Sequence, residues 1–155
     1  MESVFYYETD AGAIGIAEDG HAITRLFFGH LDPFSANAAL RETNLLEHAA
    51  AQLQEYLQGK RKQFDLPLSP KGTPFQLQVW DALRNIPYGE TRSYKEIAQA
   101  VNRPRAFRAV GMANNRNPIA ILIPCHRVIG TDGGLVGYGG GLFLKKQLLD
   151  LEGAL

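Results

Sequence analysis

The sequence predicts an α+β fold. It consists of a small N-terminal lobe with a short antiparallel sheet and a helix, and a helical C-terminal lobe that contains a helix-turn-helix and the single cysteine. Three observations predict this fold. Short apolar segments separated by turn residues open the chain, and helical apolar spacing with capping sequences occupies its second half. A segment rich in proline and glycine, residues 66–74, lies between them. We therefore place the lobes at residues 1–70 and 71–155.

The N-terminal lobe begins with three predicted strands, at residues 4–7, 13–17 and 22–28. Turn sequences at residues 10–12 and 18–20 join consecutive strands. Because such short connections place neighbouring strands side by side in opposite directions, we expect an antiparallel meander.

A helix follows the strands. The apolar spacing of residues 45–57 is helical, and Gly59 is typical of a residue that ends a helix. The helix begins either at a capping box that opens with Asn44 or earlier, at Ser35. Residues 64–68 are interpreted as one more strand.

The C-terminal lobe contains clear helix signals. Capping boxes that open with Thr73 and Ser93 predict the starts of two helices. A tight turn at residues 102–103 separates the second helix from a third, which is expected to start at Pro104. Two short helices joined by a tight turn predict a helix-turn-helix.

The remainder of the lobe surrounds the cysteine. Residues 119–123 are an uninterrupted apolar run, expected to be a buried strand, and they lead directly into Pro124-Cys125-His126-Arg127. A glycine-rich loop at residues 133–141 follows, and a helix at residues 142–151 closes the chain.

The formal net charge of zero conceals a strong asymmetry. Residues 1–70 hold 10 acids and 5 bases, net −5, whereas residues 71–155 hold 6 acids and 11 bases, net +5. Residues 97–131 contain five arginines and no acid. Arg105, Arg108 and Arg116 are expected along one helical stripe. This pattern predicts an anionic partner, nucleic acid above all; a solvated helix face is the alternative.

Cys125 is the sharpest chemical feature. A lone cysteine is most often a small buried hydrophobe. Here His126 and Arg127 follow it, and neighbouring positive charge lowers a thiol pKa and increases the reactive thiolate. A reactive nucleophile and an inert thiol therefore both remain open. To act as a base, His126 would need an orienting carboxylate, and Glu152 is a candidate.

The segment Ile123-Pro124-Cys125-His126-Arg127-Val128 resembles the active-site signature of the O6-alkylguanine-DNA alkyltransferases (methylated-DNA–protein-cysteine methyltransferases). The resemblance extends from Phe75 to Gly153, about half of the chain. The other matching segments are Val79-Trp80, Pro87-Tyr88-Gly89-Glu90-Thr91, Ser93-Tyr94, Arg108-Ala109-Val110-Gly111, Asn117-Pro118 and Gly137-Tyr138.

The resemblance implies direct repair of double-stranded DNA. An O6-alkylguanine is flipped out of the duplex, and its alkyl group is transferred irreversibly to Cys125 in one turnover per molecule. His126 and Glu152 match the residues that, with a water, deprotonate the thiol. Asn117 matches the asparagine that orders the active-site turn. Whether O4-alkylthymine is also accepted stays open.

The resemblance also assigns contacts to DNA and to the base. Arg108 matches the finger that fills the space of the flipped base, and Tyr94 matches the tyrosine that meets the target phosphate and donates towards the purine. The remaining assignments are Ala106, Ala109 and Gly111 for close approach to the minor groove, Arg105 and Arg116 for DNA, Tyr138, Gly137 and Gly139 for the base pocket, and Pro124 and Arg127 as structural neighbours.

Two positions depart from the family pattern. Phe107 is bulkier than the alanine of some members; it lies either in the core or on the groove side. Asn114 stands where some relatives have a methionine near the pocket.

Further expectations concern partners and location. Because the chain has neither the zinc-binding cysteines of some relatives nor a soluble-cofactor motif, we expect no metal and no cofactor. The start has no basic leader and no run of about 20 apolar residues occurs, so we expect a cytoplasmic protein (nuclear in a eukaryote) with no membrane partner. We also expect a monomer. Two other function classes stay open: a cysteine-dependent small-molecule hydrolase, and a module that recognises alkylated DNA without repairing it.

Overall fold

The computed structural model describes residues 1–34 and 36–155, which divide into two units, Met1–Pro70 and Lys71–Leu155. The first unit is a sheet with one helix and the second is mainly helical, so the predicted α+β fold class is confirmed. Among the described residues, no helix has the length and apolar character needed to cross a membrane.

The predicted antiparallel meander is confirmed in the first unit. Its strands are β1 (Ser3–Thr9), β2 (Gly12–Glu18) and β3 (Ile23–Phe28), and β2 pairs antiparallel with both neighbours. A fourth strand, β4 (Ala39–Leu40), pairs parallel with β1, giving the sheet order β3-β2-β1-β4. Two residues are too few to show an alternating pattern, and the sequence therefore gave no sign of β4.

The first helix, α1 (Asn44–Leu57), packs against β1 and β2. Thr43 rather than Asn44 caps it, because the Thr43 hydroxyl oxygen accepts the Leu46 N–H at 3.2 Å. The alternative start at Ser35 lies outside the described residues. Gly59 follows the helix with a φ of +76°, as its residue type predicts.

The predicted strand at residues 64–68 is wrong. Only one bridge forms there: Ile23 donates to the Pro67 carbonyl and accepts from the Ser69 N–H, both at 2.8 Å. Pro67 and Pro70 bracket this bridge and have no N–H of their own, so the pairing cannot continue as a ladder.

The second unit contains α2 (Pro74–Arg84), α3 (Tyr94–Ala100), α4 (Phe107–Asn115) and α5 (Leu142–Glu152). Both capping boxes are confirmed, at Thr73 with Gln76 and at Ser93 with Glu96. Helix α2 packs against α3 and α4, and the buried Trp80 indole donates to the Ala113 carbonyl at 2.8 Å.

Helices α3 and α4 form the predicted helix-turn-helix, but α4 starts three residues later than expected. Asn102 adopts a φ of +60° in the turn, a conformation that asparagine tolerates. The Ala106 N–H bonds to the Arg103 carbonyl in a tight turn, and the first helical bond joins Val110 to Ala106. Arg105 therefore lies before the helix, and the predicted continuous arginine stripe is wrong at that position.

The apolar run 119–123 is buried as expected, but it is a tight turn and not a strand. Ile123 donates to the Ile119 carbonyl at 3.0 Å, and Ile121 has a φ of +71°. A β-branched residue in this conformation costs about 1–3 kcal/mol, and the surrounding packing must compensate for it. The turn leads into the 3₁₀ turn Cys125–Arg127 and then β6 (Val128–Ile129), which pairs parallel with β5 (Arg92–Ser93).

Candidate active site

Cys125 begins the 3₁₀ turn and is only 5% exposed. Burial raises the pKa of its thiol, while the Asn117 side chain, the Lys145 charge and a backbone hydrogen bond lower it to a smaller extent. The resting group at neutral pH is therefore a protonated thiol. A base is needed to make it a nucleophile.

Two asparagines hold the backbone around Cys125. The Asn117 side chain donates to the Ile123 carbonyl at 2.8 Å and accepts the Ile119 N–H at 3.0 Å, so it spans the turn that contains Ile121. The buried Asn114 of α4 donates to the Cys125 carbonyl at 3.4 Å. The strained turn and the nucleophile are thus fixed by side chains from α4 and the residues just after it.

His126 is fully buried, and its Nε2 lies 2.8 Å from Glu152 Oε2. A carboxylate only accepts, so Nε2 carries the proton and the neutral ring has its lone pair on Nδ1. Burial lowers the pKa of His126, although the Glu152 hydrogen bond and charge oppose this and the Arg127 and Lys145 charges reinforce it. The histidine is therefore neutral at pH 7 and able to accept a proton.

Arg127 and Glu152 form a bidentate pair. Arg127 Nε lies 2.8 Å from Oε1 and Nη2 lies 2.9 Å from Oε2, while Nη1 donates to the Ile86 carbonyl at 2.8 Å. The arginine compensates the buried carboxylate and fixes the end of α5 against the 3₁₀ turn. Glu152 is thereby held in place to orient His126.

Lys145 is a site residue that sequence reasoning missed. Its buried ammonium donates to the carbonyls of Val128 at 2.6 Å, Val136 at 2.8 Å and Gly137 at 3.4 Å. Burial lowers its pKa to about 8, while the Cys125 charge opposes this shift. Its position in the sequence could have indicated this burial. Lys145 precedes Leu148 by three residues, Leu149 by four and Glu152 by seven, which places it on the same, buried face of α5.

The glycine-rich loop approaches the same site. The Tyr138 ring lies 6.5 Å from the His126 ring and nearly perpendicular to it. Gly137 has a φ of +51°, and a Cβ there would lie 3.1 Å from the Asn115 side chain, so this position requires glycine. A Cβ on Gly139 would meet no atom within 4 Å, so packing within the protein does not require that glycine.

Tyr94 joins the loop to the helix-turn-helix. Its hydroxyl donates to the Val136 carbonyl at 3.3 Å, and its ring would lie 3.6 Å from a Cβ on Gly111. Burial raises the pKa of Tyr94 and the nearby Cys125 raises it further, so the phenol keeps its proton. The structure therefore brings Tyr94, Gly111 and the Cys125 region together.

The other residues expected to contact nucleic acid lie on the surface of the second unit. Arg105, Arg108, Ala109 and Arg116 are exposed and Ala106 is half-buried. Within residues 1–34 and 36–155, no acidic side chain pairs with Arg105, Arg108 or Arg116. Phe107 is also exposed, so the core position, one of its two alternatives, is wrong.

The described part of the chain contains no cluster of three or more histidine, cysteine, aspartate or glutamate side chains able to hold a metal ion.

Comparison with known proteins gives a consistent result over both units. The family model for the 6-O-methylguanine DNA methyltransferase, ribonuclease-like domain, matches residues 5–70, and the model for the DNA binding domain of the same proteins matches residues 74–154. The methylated-DNA–protein-cysteine methyltransferase of Methanosarcina barkeri is 60% identical over 113 residues, 73% of this chain and 72% of the relative. The constitutive methylated-DNA–protein-cysteine methyltransferase of Bacillus subtilis is 52% identical over 151 residues, 94% of this chain and 92% of the relative.

Solved structures agree. The crystal structure of Mycobacterium tuberculosis OGT in complex with DNA matches with a TM-score of 0.90 at 44% sequence identity, covering 98% of this chain and 93% of that one. The structure of the Mycobacterium tuberculosis O6-methylguanine methyltransferase also matches with a TM-score of 0.90, at 43% identity, covering 99% and 94% of the two chains. The resemblance found in the sequence is confirmed.

Proposed function

The chain belongs to the 6-O-methylguanine DNA methyltransferase family, and on that premise we propose that it repairs DNA by transferring an alkyl group from guanine O6 to the Cys125 thiol. The observation that carries this proposal is the buried cysteine followed by a neutral histidine, which is itself held by a glutamate–arginine pair. This arrangement supplies a nucleophile, a base and the groups that orient the base.

The reaction begins with proton removal. His126 takes the Cys125 proton at Nδ1 through a bridging water, the role that the family resemblance implies, and Glu152 stabilises the imidazolium through Nε2. Arg127 holds the glutamate in place through two hydrogen bonds. The thiolate then has a positive neighbour in Lys145, whose charge lowers the pKa of Cys125.

The thiolate next attacks the alkyl carbon in line with the carbon–oxygen bond. The sulfur–carbon bond forms, the carbon–O6 bond breaks, and the guanine leaves with the electron pair on O6. Tyr94 keeps its proton, and in this mechanism it turns its hydroxyl from the Val136 carbonyl to donate towards the departing purine, the role that the family resemblance implies. The product is a thioether, which has no acyl group for water to release, so each molecule reacts once.

The exposed residues of the helix-turn-helix bind the DNA. A base inside the duplex is out of reach of a buried thiol, so the nucleotide is extruded at a cost of a few kcal/mol. Arg108 enters the duplex and fills the vacated space, while Arg105 and Arg116 bind phosphates. The small side chains at Ala106, Ala109 and Gly111 let α4 approach the minor groove, whose limited sequence information suits repair at any position.

The base pocket is formed by the glycine-rich loop. Tyr138, Gly137 and Gly139 wall the flipped base, and Lys145 is a positioning residue that ties Val136 and Gly137 of this loop to β6. We infer an intracellular, cytoplasmic location, because the proposed substrate is DNA and the relatives that the chain matches come from bacteria and archaea.

Intact-mass measurement after incubation with duplex DNA that carries O6-methylguanine tests the proposal. We expect the gain of one methyl group per protein, and no gain in the Cys125→Ala variant. Tight binding without a change in mass would instead indicate a recognition module. Release of many product molecules per protein would indicate a hydrolase.

A further inference from the structure

Phe107 is a large aromatic side chain that stays partly exposed at the surface of the second unit. It is the first residue of α4, directly before Arg108, and it remains 39% exposed. The apolar residues on the inner side of the same helix, Val110 and Ala113, are almost completely buried. A large ring at the surface loses part of the stabilisation that burial of its apolar area would provide.

The surroundings of the ring are cationic. The Lys95 ammonium, from α3, lies 5.9 Å from the ring centroid, within the range of a cation–π contact. Arg105 and Arg108 flank Phe107 closely in sequence, and residues 97–131 contain no acid. An apolar protein partner would have to leave these cations without partners. A DNA duplex, by contrast, offers phosphates together with the apolar faces of sugars and bases.

We propose that Phe107 is a second minor-groove contact beside Arg108, pressing its ring against the deoxyribose and base edges next to the extruded nucleotide, with Lys95 holding the ring and binding the adjacent phosphate. The inference rests on the proposed function, since it assumes that α4 meets the duplex. Proteins that bind the minor groove commonly insert apolar side chains of this kind between base steps.

The proposed contacts of Phe107 and Lys95 with DNA differ in their dependence on salt. A lysine or arginine on a phosphate displaces counterions, so its contribution to affinity falls as salt rises. A phenyl ring displaces none. Loss of Phe107 must therefore lower affinity by the same factor at every salt concentration, whereas loss of Lys95 must lower the salt dependence itself.

The test compares Phe107→Ala with Leu77→Ala, which removes another exposed apolar side chain (42%) from α2. The Kd for a duplex containing O6-methylguanine is measured from low to high salt, and transfer from free O6-benzylguanine is measured in parallel. For Phe107→Ala we expect Kd to rise about tenfold, which corresponds to about 1.4 kcal/mol of binding free energy. We expect an unchanged salt slope, an unchanged rate with the free base, and no change in Leu77→Ala.

A Kd for Phe107→Ala equal to that of the wild type, or an equal loss in Leu77→Ala, would overturn the inference. A changed salt slope in Phe107→Ala would also overturn it, since the effect would then act through the cations. Lys95→Met keeps an apolar stem and should reduce the slope of log Kd against log salt by about 0.9. Intact transfer from the free base establishes that each variant is folded. Failure of the proposed function is distinguishable, because the wild type would then acquire no methyl group at all.

Discussion

The chemistry of Cys125 and His126 depends on both groups being uncharged at rest. Burial raises the pKa of the thiol and lowers the pKa of the imidazole, so neutral pH favours the thiol–imidazole pair over the thiolate–imidazolium pair. Glu152 favours the charged pair once the proton moves, because it faces Nε2 directly. Burial thus keeps the thiol protonated and unreactive at rest.

This arrangement predicts the pH dependence of transfer. Because the folded-state pKa of His126 is lowered, the base keeps its lone pair below pH 6.5, where an exposed histidine would already be protonated. The rate of transfer from free O6-benzylguanine should therefore show an acid limb with a midpoint below 6.5. The contribution of neutral His126 to the free energy of unfolding is fully present above pH 6.5 and is lost as pH falls through the lowered pKa. Urea unfolding across pH 5–8 would detect this loss. A midpoint at or above 6.5 would contradict a buried neutral base.

Helix α4 joins the exposed arginines of the second unit to the nucleophile. Its outer side carries Arg108, and its inner side contacts the Cys125 carbonyl through Asn114 and the Trp80 indole through the Ala113 carbonyl. If α4 binds in the minor groove as proposed, small residues are needed where its backbone comes closest to the DNA. Gly111 is the clearest case, because it does not have a left-handed φ that would by itself require glycine.

Gly111→Ala should therefore separate stability from DNA binding. The new Cβ would meet the Tyr94 ring at an ordinary 3.6 Å, and alanine in a helix interior is about 0.5–1 kcal/mol better than glycine. We expect a higher urea midpoint, an unchanged rate with free O6-benzylguanine and a severalfold weaker duplex Kd. Equal or tighter duplex binding would show that α4 does not lie close to the DNA.

The loop before α5 depends on Lys145. Lys145→Met removes three hydrogen bonds to carbonyls, so amide exchange of residues 133–137 should rise and transfer from the free base should fall about tenfold or more. Lys146→Met, at the exposed neighbouring position, is the matched control and should change neither. Since the Lys145 pKa is about 8, the wild-type loop should loosen as pH rises through 8, after correction for intrinsic exchange. No such loosening is expected in Lys145→Met, and equal loosening in both proteins would refute the role.

Elements with local signals were predictable, and those that depend on tertiary contacts were not. The capping boxes at Thr73 and Ser93 are written within four residues each, and both form as expected. Residues 119–123 were predicted as a strand because all five are apolar. They are apolar because the turn that they form is buried, and a buried turn and a buried strand have the same uninterrupted apolar sequence. Lys145 escaped notice because its partners are backbone carbonyls, which no side-chain motif encodes.

At the scale of the whole molecule, a net charge of zero describes neither unit. The first unit carries −5 and the second +5, and Cys125 lies in the acid-free stretch of the second. Several cations of the first unit are already paired, Arg25 with Glu2 and Arg61 with Glu55. No acidic side chain among the residues that the structure describes pairs with Arg105, Arg108 or Arg116. These arginines are available to a polyanion, so the affinity for DNA should follow the charge of the second unit and not the total charge.

A salt titration of DNA binding distinguishes control by the charge of the second unit from control by the total charge. If Arg105, Arg108 and Arg116 each meet a phosphate or enter the groove, log Kd should rise with log salt with a slope of about 0.9 for each phosphate neutralised. Arg116→Ala should then reduce the slope by about 0.9. Arg61→Ala, which removes a cation of the first unit already paired at 3.0 Å, should leave the slope unchanged. A flat salt response of the wild type, or equal losses in both variants, would mean that overall charge rather than the arginine surface of the second unit governs binding.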